Sequence, residues 1–234
     1  MSAPTEGATD EDRRDFIVTV ARELAEAEGW TGVSTRRLAE RAEVDVGDLY
    51  QHFADQEALL AAVAVCAFAD LAADLAEAHA EATESPEATE SAQAPESAQA
   101  TGSAQATESP QATGGAEATE GTATTEGAGR AWPAVVNAYL DFAYANPEVY
   151  DAMLALTPDL ALGVDGVPAA PRAVFAELRA ALTPLAGGRD PDVMAEVGWS
   201  LLHGVVMLTR GGRLRPEAQE ERETMIADRL LRWP

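Results

Sequence analysis

Residues 33–63 read VSTRRLAERAEVDVGDLYQHFADQEALLAAV, and three successive helix starts are written into that run. Ser34 is a good N-cap, because its hydroxyl can accept from one of the backbone N–H groups that a helix start leaves unpaired. The helix it opens extends through Ala42 and carries Leu38 and Ala39 on its inner face. Asp45 is placed to cap the next helix, with Asp48 three residues later reaching back in the manner of a capping box. That helix ends near His52. Asp55 then caps a long one, along which Leu59, Leu60, Val63, Ala67, Leu71 and Leu75 recur with helical period and face inward. Connections this short make the helices pack on one another. Leu38, Val44, Leu49 and Phe53 hold them together, which leaves Val46, Gly47, Asp48, Gln51 and His52 toward solvent.

Upstream, Phe16, Ile17, Val20, Leu24 and Ala27 recur at helical spacing between charges, so Asp10 to Glu28 is an amphipathic helix that stops at Gly29. Trp30, Gly32 and Val33 form the connection. Residues 10–75 therefore make one compact four-helix unit, and residues 1–9 are expected to be a disordered N-terminus. Residues 83–129 change character. They are a degenerate repeat of Ala, Thr, Glu, Ser, Gln, Gly and Pro without a basic or large apolar side chain. Such a stretch cannot offset the entropy of ordering, so a disordered acidic insert is expected, either a solvated spacer or a partner-binding tail.

Helical patterning returns from about Arg130 to Tyr144 and restarts at Asn146-Pro147, where Pro suits a first helical position. After the turn-rich stretch TPDLALGVDGVPAAP, further helices are expected over Arg172–Leu182, from Asp190-Pro191 to about Leu208, and from Pro216 to Leu231. Residues 130–232 thus form a second helical domain with its own core. An Ala- and Leu-rich chain with few β-branched runs favours helices on propensity grounds as well, and the expected fold class is all-α.

Forty acidic residues against sixteen basic ones, all Arg, give a net charge of -24. A polyanion is repelled by such a surface at long range, so any affinity for DNA must come from locally placed donors. One cysteine, Cys66, excludes an intramolecular disulfide and fits a reducing interior. It could act as a thiol sensor, but its place between Val63 and Ala67 favours packing. The N-terminal residues lack the sections of a signal peptide, and no uninterrupted apolar run reaches the length of a membrane span. A cytoplasmic protein with no membrane partner is expected.

The run from Val33 to Val63 resembles the TetR-family DNA-binding domain, and the likeness extends over roughly residues 10 to 75. The matches are Ser34-Thr35, Leu38-Ala39, Val44, Gly47, Leu49-Tyr50, His52-Phe53, Glu57 and Leu59-Leu60. The resemblance implies a TetR-like fold: a three-helix DNA-binding domain, a linking fourth helix and a helical-bundle C-terminal domain. A two-helix unit with a short turn suits that function, since its second helix can enter the major groove while the first crosses the backbone. By resemblance, Thr35, Arg36, Tyr50 and His52 touch phosphates, with Ser34 opening the helix, and Val46, Gly47, Asp48 and Gln51 lie near base edges. Tyr50 and His52 have an alternative role as a polar-tipped cover for the core, and Arg36 and Arg37 as solvated charges. Four positions depart from the family pattern: Glu43 replaces a usual Gly, Asp45 a Ser, Asp48 a Thr or Ser, and Gln56 a common Lys. Each change removes a donor or adds negative charge, so weak or salt-sensitive DNA binding is expected. Without a Lys, Gln56 leaves the backbone amides that open the fourth helix as a weaker phosphate anchor. Asp48 can still accept from a cytosine amino group, which would alter specificity.

The C-terminal part resembles TetR C-terminal domains of a Trp-His-Gly type, carried here by WSLLHG at Trp199 to Gly204, Gly-Arg-Leu at Gly212 to Leu214, and YLDFAYANPEVYDAM before them. Trp199 and His203 share a helix face, with Val206 and Met207 one turn on. Together with Tyr139, Phe142, Tyr150 and Met153 they are candidates for an apolar effector site with one polar handle. The alternative is that they are core residues, with His203 bonded to a neighbour. The resemblance further implies a homodimer through the last two helices, with Gly198 and Gly204 allowing close approach, and an effector that tilts the fourth helix.

No HExxH, paired His ligands, Cys cluster or phosphate-cradling Gly loop is present, and Ser200 with His203 lacks a nucleophile elbow. No catalytic residue, metal or cofactor is therefore expected. The expected function is a ligand-released, homodimeric repressor acting on a double-stranded DNA operator. The alternative is a protein of the same fold, with weakened DNA binding, that binds ligands or other proteins.

Overall fold

A computed structural model describes residues 9–84, 120–155 and 169–228. The described residues are helical throughout: α1 (Asp10–Glu28), α2 (Thr35–Ala42), α3 (Val46–His52), α4 (Gln56–Glu84), α5 (Glu120–Ala145), α6 (Pro147–Ala155), α7 (Ala169–Leu182), α8 (Pro191–Arg210) and α9 (Gln219–Asp228). No strand occurs among them, which bears out the all-α, TetR-like expectation. The expected insert at 83–129 is narrowed at both ends, because α4 runs through Glu84 and α5 begins at Glu120. Its middle, residues 1–8 of the tail expected at 1–9, and most of the turn-rich stretch lie outside the described residues, while Thr9 is described and caps α1.

Local chemistry accounts for the element ends. Thr9 and Asp12 form a capping box on α1, with the Asp12 amide donating to Thr9 Oγ1 at 3.1 Å and the Thr9 amide to Asp12 Oδ2 at 2.9 Å. The Thr9 hydroxyl, donating to Asp12 Oδ2 at 2.7 Å, and after it the Thr9 amide hold the Asp12 carboxyl below its ordinary range. Gly29 ends the helix at φ +75°, a left-handed value that a Cβ disfavours. Ser34 caps α2 through the Arg37 amide (3.4 Å), and Asp55 caps α4 through the Ala58 amide (2.7 Å), both as expected. Asp45 departs from expectation: its side chain makes no cap bond, and α3 starts instead on the Asp45 carbonyl, which accepts from the Asp48 and Leu49 amides at 3.0 and 3.3 Å. Glu43 ends α2 at φ +55°, so the position where the family pattern has Gly is a left-handed one.

The sequence pointed to one core in each half, but most buried side chains form a continuous cluster from Ile17 in α1 to Ile226 in α9, with a small separate one of Leu24, Ala25 and Val33. The element that joins them is α4, whose Leu59, Val63, Ala67, Phe68, Leu71 and Leu75 are buried against α1, α5, α6 and α7. By length and composition α4 is apolar enough to cross a membrane over a window of mean hydropathy 2.0, although Asp70 breaks the run, in keeping with the expectation that no uninterrupted apolar run is long enough. Half of that window is buried within the fold, so its apolarity is accounted for by its central position.

Gly198 is a second correction. A Cβ there would lie 2.7 Å from Leu182 Cδ1 and 3.0 Å from the Trp132 ring, so this glycine lets α8 approach α7 and α5 within the chain. Gly204, by contrast, has open space before it.

Candidate nucleic-acid interface and sensor core

The two short helices α2 and α3 pack through Leu38, Ala42, Leu49 and Phe53, all buried, and this fixes which side of α3 faces outward. Val46 is 41% exposed and Tyr50 56%, and Gly47, Asp48 and Gln51 are exposed beside them. At Gly47 a Cβ would meet nothing within 4 Å. No packing within the chain requires glycine there, although glycine costs a helix about 0.5–1 kcal/mol relative to Ala. Gln51 Nε2 donates to Asp48 Oδ1 at 3.4 Å, so two of the expected readers touch each other.

Two other expected contacts have partners inside the chain. The His52 side chain is only 6% exposed, with Nδ1 3.5 Å from Asp10 Oδ1 at the start of α1, so it does not point outward as the sequence suggested. Gln56 Nε2 donates to the Val33 carbonyl at 2.9 Å and ties α4 to the strap before α2. Ser34 is exposed, but its oxygen serves the cap, and Thr35 is half-buried. Arg36 pairs with Glu40 at 3.0 Å in an exposed i,i+4 contact, and Arg37 pairs with Glu28. The sequence reading missed Arg13, which lines a concavity between α1 and α3 with Asp10, Glu43, Asp48, Gln51 and His52. It also missed Arg14, whose guanidinium lies 5.2 Å from the centre of the Phe53 ring. Neither carried a signal, because the adjacency of α1 and α3 is a tertiary fact.

The C-terminal helices bring most of the expected sensor residues together. Trp199 Nε1 donates to Tyr139 Oη at 3.1 Å, the Tyr139 and Tyr150 hydroxyls are 2.9 Å apart, and Tyr150 Oη is 2.9 Å from His203 Nδ1. Indole nitrogen can only donate. Tyr139 must then pass its own proton to Tyr150, and Tyr150 to His203, if every group is to be satisfied, so Nδ1 is the acceptor and the imidazole proton sits on Nε2. Burial pushes the Tyr139 hydroxyl up to about 12 and raises that of Tyr150 further. Burial lowers His203, with Asp151 opposing it. Asp151 itself is held by Arg210 through two bonds of 2.7 and 2.9 Å. Phe142 and Met153 are buried in the same cluster, but Met207 is 41% exposed and turned away from it.

A clasp between the two halves was not read from the sequence. Glu26 in α1 accepts from the Glu148 and Val149 amides at 3.2 and 2.8 Å, thereby capping the first turn of α6. Trp30 Nε1 donates to the Glu148 carbonyl at 2.7 Å. The residues that follow at once in α6, Tyr150 and Asp151, carry the bonds to α8. On the far side of α8, Leu201, Gly204, Leu208, Leu214 and Met225 line an apolar groove with α9. Val193, Val197, Leu208 and Met225 are exposed on these two helices.

A helix-turn-helix reader joined by α4 to a helical bundle defines a class of DNA-binding regulators. Comparison with family models agrees: residues 17–63 match the bacterial regulatory proteins of the tetR family, and residues 132–232 match a tetracyclin repressor-like C-terminal domain. The chain belongs to the TetR family and is a DNA-binding transcription regulator. Among solved structures, a protein with unknown function from Rhodococcus sp. RHA1 is similar at TM-score 0.64 and 23% identity, covering 98% of this chain and 97% of that one. The TetR family transcriptional regulator PfmR from Thermus thermophilus is similar at TM-score 0.51 and 16% identity, covering 90% and 96%. Both likenesses are of fold. Comparison with curated proteins found no match.

Proposed function

We propose that this regulator is a cytoplasmic homodimeric repressor that reads a short inverted-repeat operator through α3 and is released when a small molecule enters its C-terminal domain. The observation that carries the reading half is the exposed face of Val46, Gly47, Asp48, Tyr50 and Gln51, with unused clearance before Gly47. Thr35, Arg36 and Tyr50 flank it as phosphate contacts, with Ser34 at the helix start. His52 and Gln56 act from behind, as supports for α1 and for the strap before α2.

Pairing is supported by the apolar face of α8 and α9, where Gly204 stands before open space. Two reading helices about 34 Å apart match one turn of duplex, the geometry that a two-fold dimer supplies. The effector region is the core of Tyr139, Phe142, Tyr150, Met153, Trp199 and His203. An effector that displaces Tyr150 shifts α6, and the clasp from Glu26 and Trp30 transmits that shift to α1.

A second reading has its own observation: Glu43, Asp45 and Asp48 stand exposed around α3, which carries no Arg, and suit a ligand-binding or protein-interaction module with little DNA affinity. Electrophoretic gel shift against the DNA upstream of its own gene, in low and moderate salt, separates the two. Sequence-dependent retardation with a two-protomer stoichiometry is expected. Retardation equal to that of random duplex would establish the second reading.

A further inference from the structure

The geometry points to Asp48 as the residue by which α3 selects its base pair, accepting a hydrogen bond from the exocyclic amine of a cytosine in the major groove. This inference rests on the DNA-reading assignment above and adds to it the chemistry of the base that is read.

Three observations converge on Asp48. Its expected local duty is not performed, because Asp45 makes no side-chain cap and α3 starts on backbone bonds alone. The carboxylate is exposed beside Gly47 and Gln51, on the side of α3 that borders the concavity with Arg13, and the Gln51 amide donates to its Oδ1 at 3.4 Å. Finally, α3 carries no Arg or Lys, so the commonest specific contact, a cation on guanine O6 and N7, is not available to it.

What remains is decided by groove chemistry. An ionised carboxylate only accepts hydrogen bonds. Guanine presents two acceptors to the major groove and thymine one, so both repel it. Adenine sets its amine between its own N7 and the O4 of the paired thymine, whereas the cytosine N4 amine has an acceptor, the paired guanine O6, on one side only. The negative charge also opposes the phosphates at every sequence, so Asp48 works chiefly by rejecting wrong bases.

The test is selection of the full chain, at low salt, on a library of random duplexes, run in parallel with Asp48→Asn. Wild type is expected to enrich a cytosine at one position of each half-site. Changing that cytosine to thymine, which puts an acceptor where the amine stood, weakens binding about tenfold by fluorescence anisotropy. Asp48→Asn, which can also donate, loses this discrimination and keeps the preferences elsewhere, with an unchanged thermal midpoint. Identical base preferences for the two proteins, or any other base at the position the substitution alters, would overturn the assignment to Asp48 while leaving DNA reading intact. Absence of enrichment for both proteins would remove the DNA-reading assignment and this one together.

Discussion

The reader and the sensor core place their polar groups in opposite ways. On the outward faces of α2 and α3 the polar contacts are exposed and short in sequence: Arg36 with Glu40, Gln51 with Asp48, Ser34 with the Arg37 amide. In the C-terminal half, Trp199, Tyr139, Tyr150 and His203 are joined across α5, α6 and α8 by bonds that bring residues 11 to 60 positions apart into contact. An exposed bond replaces one made with water and contributes little, whereas a buried one, once broken, leaves groups that water cannot reach. The reader is thus free to vary its polar surface. The sensor core is not.

The largest expected effect tests this contrast directly. Tyr150→Phe leaves the Tyr139 hydroxyl without an acceptor and His203 Nδ1 without a donor, and should cost about 2 kcal/mol in urea unfolding. Tyr50→Phe, on an exposed ring, should leave the unfolding midpoint where it is. Equal costs for the two substitutions would erase the distinction between the regions.

Next in size is the clasp between them. Glu26→Gln replaces a charged acceptor at the start of α6 by a neutral one and should lower stability by about 1 kcal/mol. It should also raise hydrogen exchange at the first amides of α6, a readout that damage confined to α1 would not produce.

Glu43→Gly works in the other direction. It relieves a non-glycine residue at φ +55° and, after the added entropy of the unfolded chain, should stabilise by about 0.5 kcal/mol. It also removes a negative charge beside α3, so binding to any duplex should tighten, most of all at low salt.

The smallest expected effect is a slope of stability with pH. Burial depresses His203 in the folded state, so between its folded and ordinary values the unfolded chain binds the extra proton. The associated stability is complete above the ordinary histidine value near 6.5 and is lost as pH falls through the depressed one. Unfolding of His203→Gln, followed from pH 7 to 5, should lack that component of the slope. A profile parallel to wild type would assign the slope to other groups.

Much of the fold was legible because the information was local. Ser34 and Asp55 cap as their sequence positions indicate, and Gly29 and Pro147 mark helix ends for reasons contained within a few residues. Asp45 misled because cap preference describes what a side chain can do, and here the backbone carbonyl does it instead. His52 misled in a different way. Its place on α3 suggested solvent, but α1 crosses at that point and brings Asp10 to it.

Residue order by itself determined the helices, their spacing in the reader and the absence of a strand-forming pattern, since hydrophobic period and end chemistry act over one or two turns. Only the folded chain decided that Gly198 faces inward, that Met207 leaves the core, and that Glu26 grips α6. Those outcomes depend on which helices meet, and contact between residues more than a hundred positions apart is a property of packing that no window of sequence contains.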